Sequence, residues 1–358
     1  MLAALMLLVP VVAPTVTAGT AVDSCAIAAE AFLDALDDAQ RMRAARPFDE
    51  TERKKWAYAT GSRTRKQGLV IAEMSDTQRV LAHRLIACGL SSQGYQKSAG
   101  IMRLDDIVRE HIGEIVFEAT EPIEIGKEFY WLAVFGVPGT NAPWAWQLEG
   151  HHLGLNFTVV DDTIAVTPAF MGADPAEVQT GPLAGWRLLG PEEDIAFALM
   201  ASLTEEQRGR AVLADELPRG IFTGPGRAEA LATYAGLPAA QMSAPQRQLL
   251  WLLINEYVRN VDPVAGDRII GEILREGSDR LYFAWMGPVA AGSAIYYRIH
   301  GPAILIEFDH AVNLRSPKLE PDPNHVHTIM RIPGGDFGDD LLRRHYNESP
   351  DHQTSVEE

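Results

Sequence analysis

Cysteine, basic residues and long hydrophobic runs are scarce in this chain, and each scarcity argues against a class of protein. The 358 residues include two cysteines, Cys25 and Cys88, and neither lies in a CxxC motif, so a redox motif is not predicted. The two could form a disulfide or remain buried thiols. Lysine and arginine number 31 against 48 acidic residues, and the resulting formal charge of −17 argues against nucleic acid as a partner.

Several common sequence signatures are missing as well. The chain contains no P-loop, no dinucleotide-binding glycine fingerprint and no G-x-S-x-G element, so the usual nucleotide and serine-hydrolase classes lack support. A bilayer span needs roughly 18 or more consecutive apolar residues, and no later segment reaches that length. No stable membrane insertion is therefore expected after removal of an N-terminal signal.

The N-terminus itself is apolar over residues 2–12 and continues with small residues that end in Ala18. This pattern is typical of a signal peptide, here residues 1–18, although a core helix would give a similar run. The sequence thus predicts a periplasmic or secreted protein. In such an oxidising compartment Cys25 and Cys88 could pair.

Similar blocks of sequence recur in the same order along the chain. FLDALDDAQRMRA, from Phe32, resembles LMASLTEEQRGRA, from Leu199, and an amphipathic helix that begins near Gln78 resembles one near Gln246. Gly150 aligns with Gly301 further on. The predicted fold is α+β, a tandem duplication of a helix–helix–helix–strand–hairpin–strand unit whose halves pack about a pseudo-two-fold axis. Chance similarity of ordinary helices and strands is the alternative.

The expected organisation follows from these blocks and from the glycine and proline content. After the signal peptide we expect a first α+β repeat over 19–175, a Gly/Pro-rich connection over 176–191, a second repeat over 192–346 and a polar tail over 347–358.

Histidines carry the strongest chemical signal. His151 and His152 are adjacent, and strand alternation over this run would place Glu149 and His151 on one face and His152 on the other. His325 and His327, in the sequence NHVH, are two residues apart, which on a strand directs both side chains to one face. Imidazole is a common ligand of transition metals, so His151 or His152, together with His325 and His327, predicts a metal site for zinc, iron, manganese or copper. Structural histidines or a metal-free polar pocket are the alternatives.

Charged side chains near these histidines are candidates for catalysis. Glu149 or Glu307 would complete the metal shell or act as a general base, and Asp309 adds a further carboxylate. Arg298 and Arg331 would bind an anionic group of the substrate. If the repeats are equivalent, their polar positions differ while the apolar ones stay alike, as the following pairs show: Gln147 with Arg298, Glu149 with His300, His151 with Pro302, and Asn156 with Glu307.

Four segments carry a resemblance to a known family. The segments PWAWQLEGHHLGLNFTVV, TPAFMGADPAEV, YYRIHGPAILIEFDH and NHVHTIMRIPGGDFGDDLLRRHY resemble the family known as domain of unknown function 3500. The resemblance covers nearly the whole chain after residue 18, and it implies no activity.

The residues therefore carry the functional prediction. The preferred hypothesis is an exported metal-dependent enzyme, a hydrolase or oxidoreductase acting on a small molecule, with its site between the two repeats. A non-catalytic metal- or small-ligand-binding protein of the cell envelope is the alternative. A third hypothesis is an assembly module that uses the aromatic strands as an interface.

Overall fold

The structure, a computed structural model, describes residues 20–49, 51–59, 67–112, 125–312 and 319–348, with the side chains of residues 111 and 112 left out. The predicted signal peptide and residues 349–358 of the predicted tail lie outside the described residues. In the described part of the chain, no helix has both the length and the apolar character that a membrane crossing requires.

Residues 20–173, here called the first half, begin with helices. Three of these helices start at a capping box, in which the side chain before the helix and the third helical residue bond to each other's backbone N–H. The helices are α1 (Ala21–Asp34), α2 (Asp38–Ala44), α3 (Asp76–Cys88) and α4 (Ser92–Ile112). A disulfide joins Cys25 of α1 to Cys88 of α3, so the pairing alternative is confirmed.

The strands of the first half are rich in aromatic and β-branched residues, which suit extended structure. They are β1 (Ala45–Arg46), β2 (Leu69–Val70), β3 (Tyr130–Phe135), β4 (Trp144–Gly150), β5 (Leu153–Val160) and β6 (Thr163–Ala173).

Residues 190–331, here called the second half, repeat this order of elements. The helices are α5 (Gly190–Ser202), α6 (Glu205–Ala211), α7 (Ala244–Val258) and α8 (Pro263–Glu276). The strands are β7 (Val212–Ala214), β8 (Leu237–Pro238), β9 (Tyr282–Met286), β10 (Tyr296–Gly301), β11 (Ile304–Val312) and β12 (Pro321–Arg331). A last helix, α9 (Asp339–Glu348), follows. It includes Asn347 and Glu348, the first two residues of the predicted polar tail.

All twelve described strands form one mixed sheet, so the α+β class is confirmed. The order is β1-β3-β4-β5-β6-β12-β11-β10-β9-β7, with β2 and β8 paired to β3 and β9. Each half thus contributes one side of the sheet, and β6 and β12 meet at the centre as an antiparallel pair. The two hairpins, β4–β5 and β10–β11, lie on either side of this central pair.

A network of two glutamines recurs in both halves. In the first, Gln78 Nε2 donates to the Ala35 carbonyl at 2.8 Å and to Gln40 Oε1 at 2.7 Å. In the second, Gln246 Nε2 donates to the Ser202 carbonyl and to Gln207 Oε1, both at 2.8 Å. Each glutamine also belongs to a capping box, so the same polar contacts connect corresponding helices.

The two faces of the sheet differ in chemistry because alternate residues of a strand point to opposite faces. One face is apolar and packs against helices of both halves, with Val326 and Met330 of β12, Phe157 of β5 and Phe308 of β11 in this core. The buried Trp144, Trp146, Trp285 and Tyr297 also belong to it, which accounts for the aromatic residues of the strands as core.

Candidate functional site

The opposite face, here called the polar face, bears most of the residues predicted from the sequence. His327 of β12 lies opposite Asp309 of β11, and Arg298 of β10 lies opposite Glu307 of β11. In the first half, Gln147 of β4 lies opposite Asn156 of β5. Burying so many polar groups is unfavourable unless they find partners, so this side of the sheet is the natural place to look for function.

His151 and His152 form the turn between β4 and β5, which makes the predicted alternation wrong. The chain reverses after Gly150, so Glu149 lies opposite Gly154 and both face the same side of the sheet. His152 adopts a φ of 62°, in the left-handed region that non-glycine residues rarely occupy. The two imidazole rings stack with centroids 3.8 Å apart. Continuous strand periodicity did not apply because the two histidines themselves form the turn.

Three of the four predicted metal ligands come together. The imidazoles of His152, His325 and His327 each place a nitrogen within 4.8 Å of the others. His152 Nε2 lies 2.9 Å from His325 Nε2. Gly172, which lies opposite His327, leaves room for this arrangement, since a Cβ there would be 3.0 Å from His152 Cδ2. The HxH pair thus comes from the second half and its partner from the first.

A buried carboxylate lies behind His327. Asp309 Oδ1 is 3.7 Å from His327 Nδ1, beyond hydrogen-bond distance, and among the described residues neither oxygen of Asp309 has a hydrogen-bond partner. Burial, followed by the charge of Glu307, raises the pKa of Asp309 well above its usual value. Burial, followed by the charges of His325 and His151, lowers the pKa of His327 well below its usual value. His327 Nδ1 faces Asp309, which leaves Nε2 for a ligand.

His151 lies outside the group of His152, His325 and His327, here called the triad, and it contacts the carboxylate of Asp105. Its Nδ1 lies 2.7 Å from Asp105 Oδ1 of α4. The hydroxyl of Tyr130 donates to the other oxygen of Asp105 at 2.6 Å, which fixes the carboxylate. Asp105, His151 and His152 form a second group of metal-ligating atoms within 4.8 Å, so the two groups share His152.

Tyr58 covers the histidines. Its ring stacks on Phe170 with centroids 4.0 Å apart and meets His327 edge-on at 5.2 Å. The His152 backbone N–H donates to its carbonyl at 2.9 Å. Burial, followed by the charge of Asp309, raises the pKa of the phenol. Tyr58 therefore packs its ring against His327, with its phenol within the electrostatic influence of the buried Asp309.

Glu149 and Glu307, predicted as shell or base residues, both bind irregular segments that lie over the polar face. Glu149 Oε1 accepts the Ala57 N–H at 2.8 Å, and its Oε2 accepts the Gln67 N–H at 3.4 Å. Glu307 accepts the backbone N–H groups of Phe222 and Thr223 at 2.8 and 2.9 Å. Neither glutamate belongs to the described groups of possible metal ligands.

The two predicted arginines are both buried on the polar face, in unlike surroundings. Arg331 Nε and Nη2 donate to the Thr223 carbonyl at 2.9 and 2.6 Å, and Nη1 pairs with the Asp336 carboxylate. Arg298 contacts the phenol of Tyr296. Its Nε has no hydrogen-bond partner among the described residues.

Sequence reasoning missed Asp105 and Tyr58. Asp105 lies on a helix distant in sequence from His151, and Tyr58 lies in an irregular segment, so neither forms a local pattern with the histidines. Their positions depend on the packing of α4 and of this segment against the sheet.

The fold and the site define a class of protein, an α+β protein whose single sheet carries a histidine-rich polar face. The model of the family described as "Protein of unknown function (DUF3500)" matches residues 18–339. The chain belongs to this family, as its sequence segments predicted. No curated protein and no solved structure matches the chain significantly.

Proposed function

We propose that this protein is a metal-dependent enzyme whose divalent transition metal is bound by His152, His325 and His327. The observation that carries the proposal is the convergence of three imidazole nitrogens within 4.8 Å, from two distant parts of the chain. Three imidazoles are a known ligand set for catalytic zinc and also suit iron and copper. Zinc is the first metal to test, with iron, manganese and copper as competitors.

Hydrolysis is the reaction that this ligand set favours. Neutral imidazoles leave the full charge on the metal, and a metal of this kind lowers the pKa of a bound water and polarises a carbonyl or phosphoryl oxygen. The described group supplies three ligands, so a tetrahedral ion would keep one position for water or substrate.

The surrounding residues support a catalytic site by fixing its geometry. Asp309 would hold the Nδ1–H of His327, in the manner of the carboxylates that orient metal-binding histidines. Asp105 fixes the ring of His151 beside His152. Tyr58 and Phe170 exclude water from one side of the triad.

A non-catalytic metal-binding protein is the second candidate. The burial of His152 and His327 favours it, because a buried ion would exchange slowly and meet few substrates. Turnover of any substrate in a metal-dependent manner would decide between the two.

We also propose that the two halves arose by tandem duplication and that the protein is exported. The recurring element order, the glutamine networks and the matching hairpin registers support duplication. Export is supported by the disulfide, since disulfides persist in oxidising compartments. The family match begins at residue 18, beside the predicted cleavage point.

The test is elemental analysis of the protein, expressed to the periplasm without a histidine tag. We expect near-stoichiometric metal in the wild type and its loss in a folded His325→Ala/His327→Ala variant. His345→Ala is the matched control, because His345 pairs with Asp161 rather than with the triad. Asp309→Asn should keep the metal but weaken its binding about 10- to 100-fold, the usual effect of removing an orienting carboxylate.

A wild-type protein that holds no metal, and cannot be loaded with any of the four, would contradict the proposal. Equal metal content in the double variant and the wild type would place the metal elsewhere. Activity screening against ester, amide and phosphoester substrates follows only after a metal is found.

A further inference from the structure

Two arginines, Arg331 and Arg298, are buried on the polar face, and their hydrogen-bond partners differ. Arg331 is fully engaged by the protein, since its donors bind the Thr223 and Gly224 carbonyls and the Asp336 carboxylate. Its guanidinium also lies 5.9 Å from the centre of the Trp56 ring. Arg331 thus fastens an irregular segment to the sheet, and each of its three side-chain nitrogens binds a protein group.

Arg298 is similarly buried, but the partner of its side chain in the described part of the chain is the Tyr296 phenol rather than a carboxylate. It is 6% exposed, and its Nε has no hydrogen-bond partner among the described residues. Its cross-strand neighbour Glu307 is already saturated by the N–H groups of Phe222 and Thr223 and by the Thr223 and Tyr296 hydroxyls. A buried cation without a hydrogen-bonded anion is costly, so a bound anion would relieve this position.

His300 lies beside Arg298 on the same face of β10. It is 5% exposed, and its Nδ1 also has no partner in the described part of the chain. Burial, followed by the charge of Arg298, lowers the pKa of His300 to about 4, so the ring is neutral at pH 7 and can donate one hydrogen bond. Two buried side chains that are neighbours on one strand therefore each have a nitrogen without a hydrogen-bond partner among the described residues.

Aromatic rings line the solvent side of this region. Tyr234 meets the His300 ring edge-on with centroids 4.6 Å apart and stacks on Tyr282 at 5.4 Å. Tyr234 is 43% exposed, so this end of the region communicates with solvent. A flat apolar group next to the anion would pack against these rings.

The register of the sheet sets the distance to the proposed metal. Arg298 lies opposite Glu307, which lies opposite Ile329, two residues from His327. With strands about 4.8 Å apart and residues about 3.4 Å apart, the Cα atoms of Arg298 and His327 are roughly 12 Å apart. Both side chains point to the same face of the sheet, on either side of the β11 carboxylates Glu307 and Asp309.

We propose that Arg298, with His300, binds the carboxylate of a small, flat organic acid, and that such an acid is the substrate class of the metal centre. A carboxylate fits better than a phosphate, because one guanidinium beside a neutral imidazole matches a single negative charge. The second negative charge of a phosphate would face the carboxylate of Glu307, which would repel it. The substrate assignment rests on the metal function proposed above, whereas carboxylate binding can be measured without it.

Benzoate is the probe, and isothermal titration calorimetry of the full, metal-loaded protein is the measurement. We expect benzoate to bind, Arg298→Gln to weaken binding at least about 10-fold, and Arg298→Lys to weaken it less, because lysine keeps the charge but not the bidentate geometry. The exposed Arg275→Gln is the matched control and should bind as the wild type does. Metal content should be the same in all four proteins.

Three results would overturn the inference. The first is no carboxylate binding by the wild type at millimolar benzoate, and the second is equal affinity in the wild type and both Arg298 variants. The third is Arg298-dependent binding of inorganic phosphate but not of benzoate. If Arg298→Gln fails to fold, Arg298→Lys carries the comparison. Arg298-dependent benzoate binding by a protein that cannot be loaded with metal would support the carboxylate subsite and contradict only the metal function.

Discussion

The hairpins β4–β5 and β10–β11 have one backbone plan and two chemistries. Gln147 lies opposite Asn156 in the first, and Arg298 lies opposite Glu307 at the corresponding place in the second. On the helix side, Phe157 and Phe308 occupy matching core positions. The turns differ, because the first contains His151 and His152 where the second contains Pro302 and Ala303.

The two hairpins are alike at core positions and differ at polar-face positions, so this fold tolerates change on its polar face. Core positions are constrained by close packing on the helix side, so both hairpins keep large apolar residues there. Polar-face positions meet irregular segments, which can adapt to different partners. One hairpin therefore supplies a ligand of the proposed metal at its turn, and the other supplies the proposed anion subsite along its strand.

The largest expected effect is on stability, at the core positions that the two hairpins share. Phe157→Ala and Phe308→Ala should each lower the free energy of unfolding by about 3–5 kcal/mol, because each removes a fully buried aromatic ring. We expect the two losses to agree within about 1 kcal/mol. Urea denaturation followed by circular dichroism checks this, and a difference of several-fold would show that the two hairpins are not equivalent supports.

The two hairpins should respond differently to pH, because the second contains His300 where the first contains Glu149. The folded pKa of His300, about 4, lies below its usual 6.5, so its stabilising contribution is complete above pH 6.5 and is lost as the pH falls toward 4. The loss is at most about 3 kcal/mol at 1.36 kcal/mol per pKa unit, because solvent screening of the partly accessible ring reduces it. Arg298, Tyr282 and Tyr234 are the charged or titratable groups facing this ring.

His300→Gln removes the titrating group and should abolish that part of the acid destabilisation. Denaturant midpoints of wild type and variant, measured across this pH range, would reveal it. Parallel pH curves for the two proteins would refute the assignment. The corresponding residue of the first hairpin, Glu149, is the comparison site, since Glu149→Gln leaves His300 in place.

The smallest expected effect is local opening of the two irregular segments that lie over the polar face, near Ala57 and near Phe222. Glu149→Gln and Glu307→Gln each replace a charged acceptor of backbone N–H groups by a neutral one, which weakens these bonds but leaves an oxygen to accept them. We expect each variant to expose its own segment to protease, near Ala57 in one case and near Phe222 in the other. Mass spectrometry of limited digests locates the cuts, and identical cutting patterns in both variants would argue against separate roles.

The sequence allowed the fold class and much of the site to be predicted, for identifiable reasons. Alternating strands and helix caps are local, so the α+β class could be read from short patterns. His325 and His327 are two residues apart on one strand, and their shared face followed from that spacing. The hairpin alternation failed because a two-residue turn was read as continuous strand. No local pattern indicates that Arg298 and Arg331 have different surroundings. The difference arises because Arg331 binds Thr223 and Asp336.

By itself the sequence determined the elements, their order and the family, because these depend on periodicity, capping and recurring motifs within short stretches. Only the tertiary structure decided that His152 rather than His151 joins the HxH pair and that Cys25 pairs with Cys88. It also decided that the Nε of Arg298 has no hydrogen-bond partner among the described residues. The physical reason is distance along the chain. Contacts between remote segments arise from the closing of the sheet across β6 and β12 and from the packing of segments over its polar face, which no local pattern encodes.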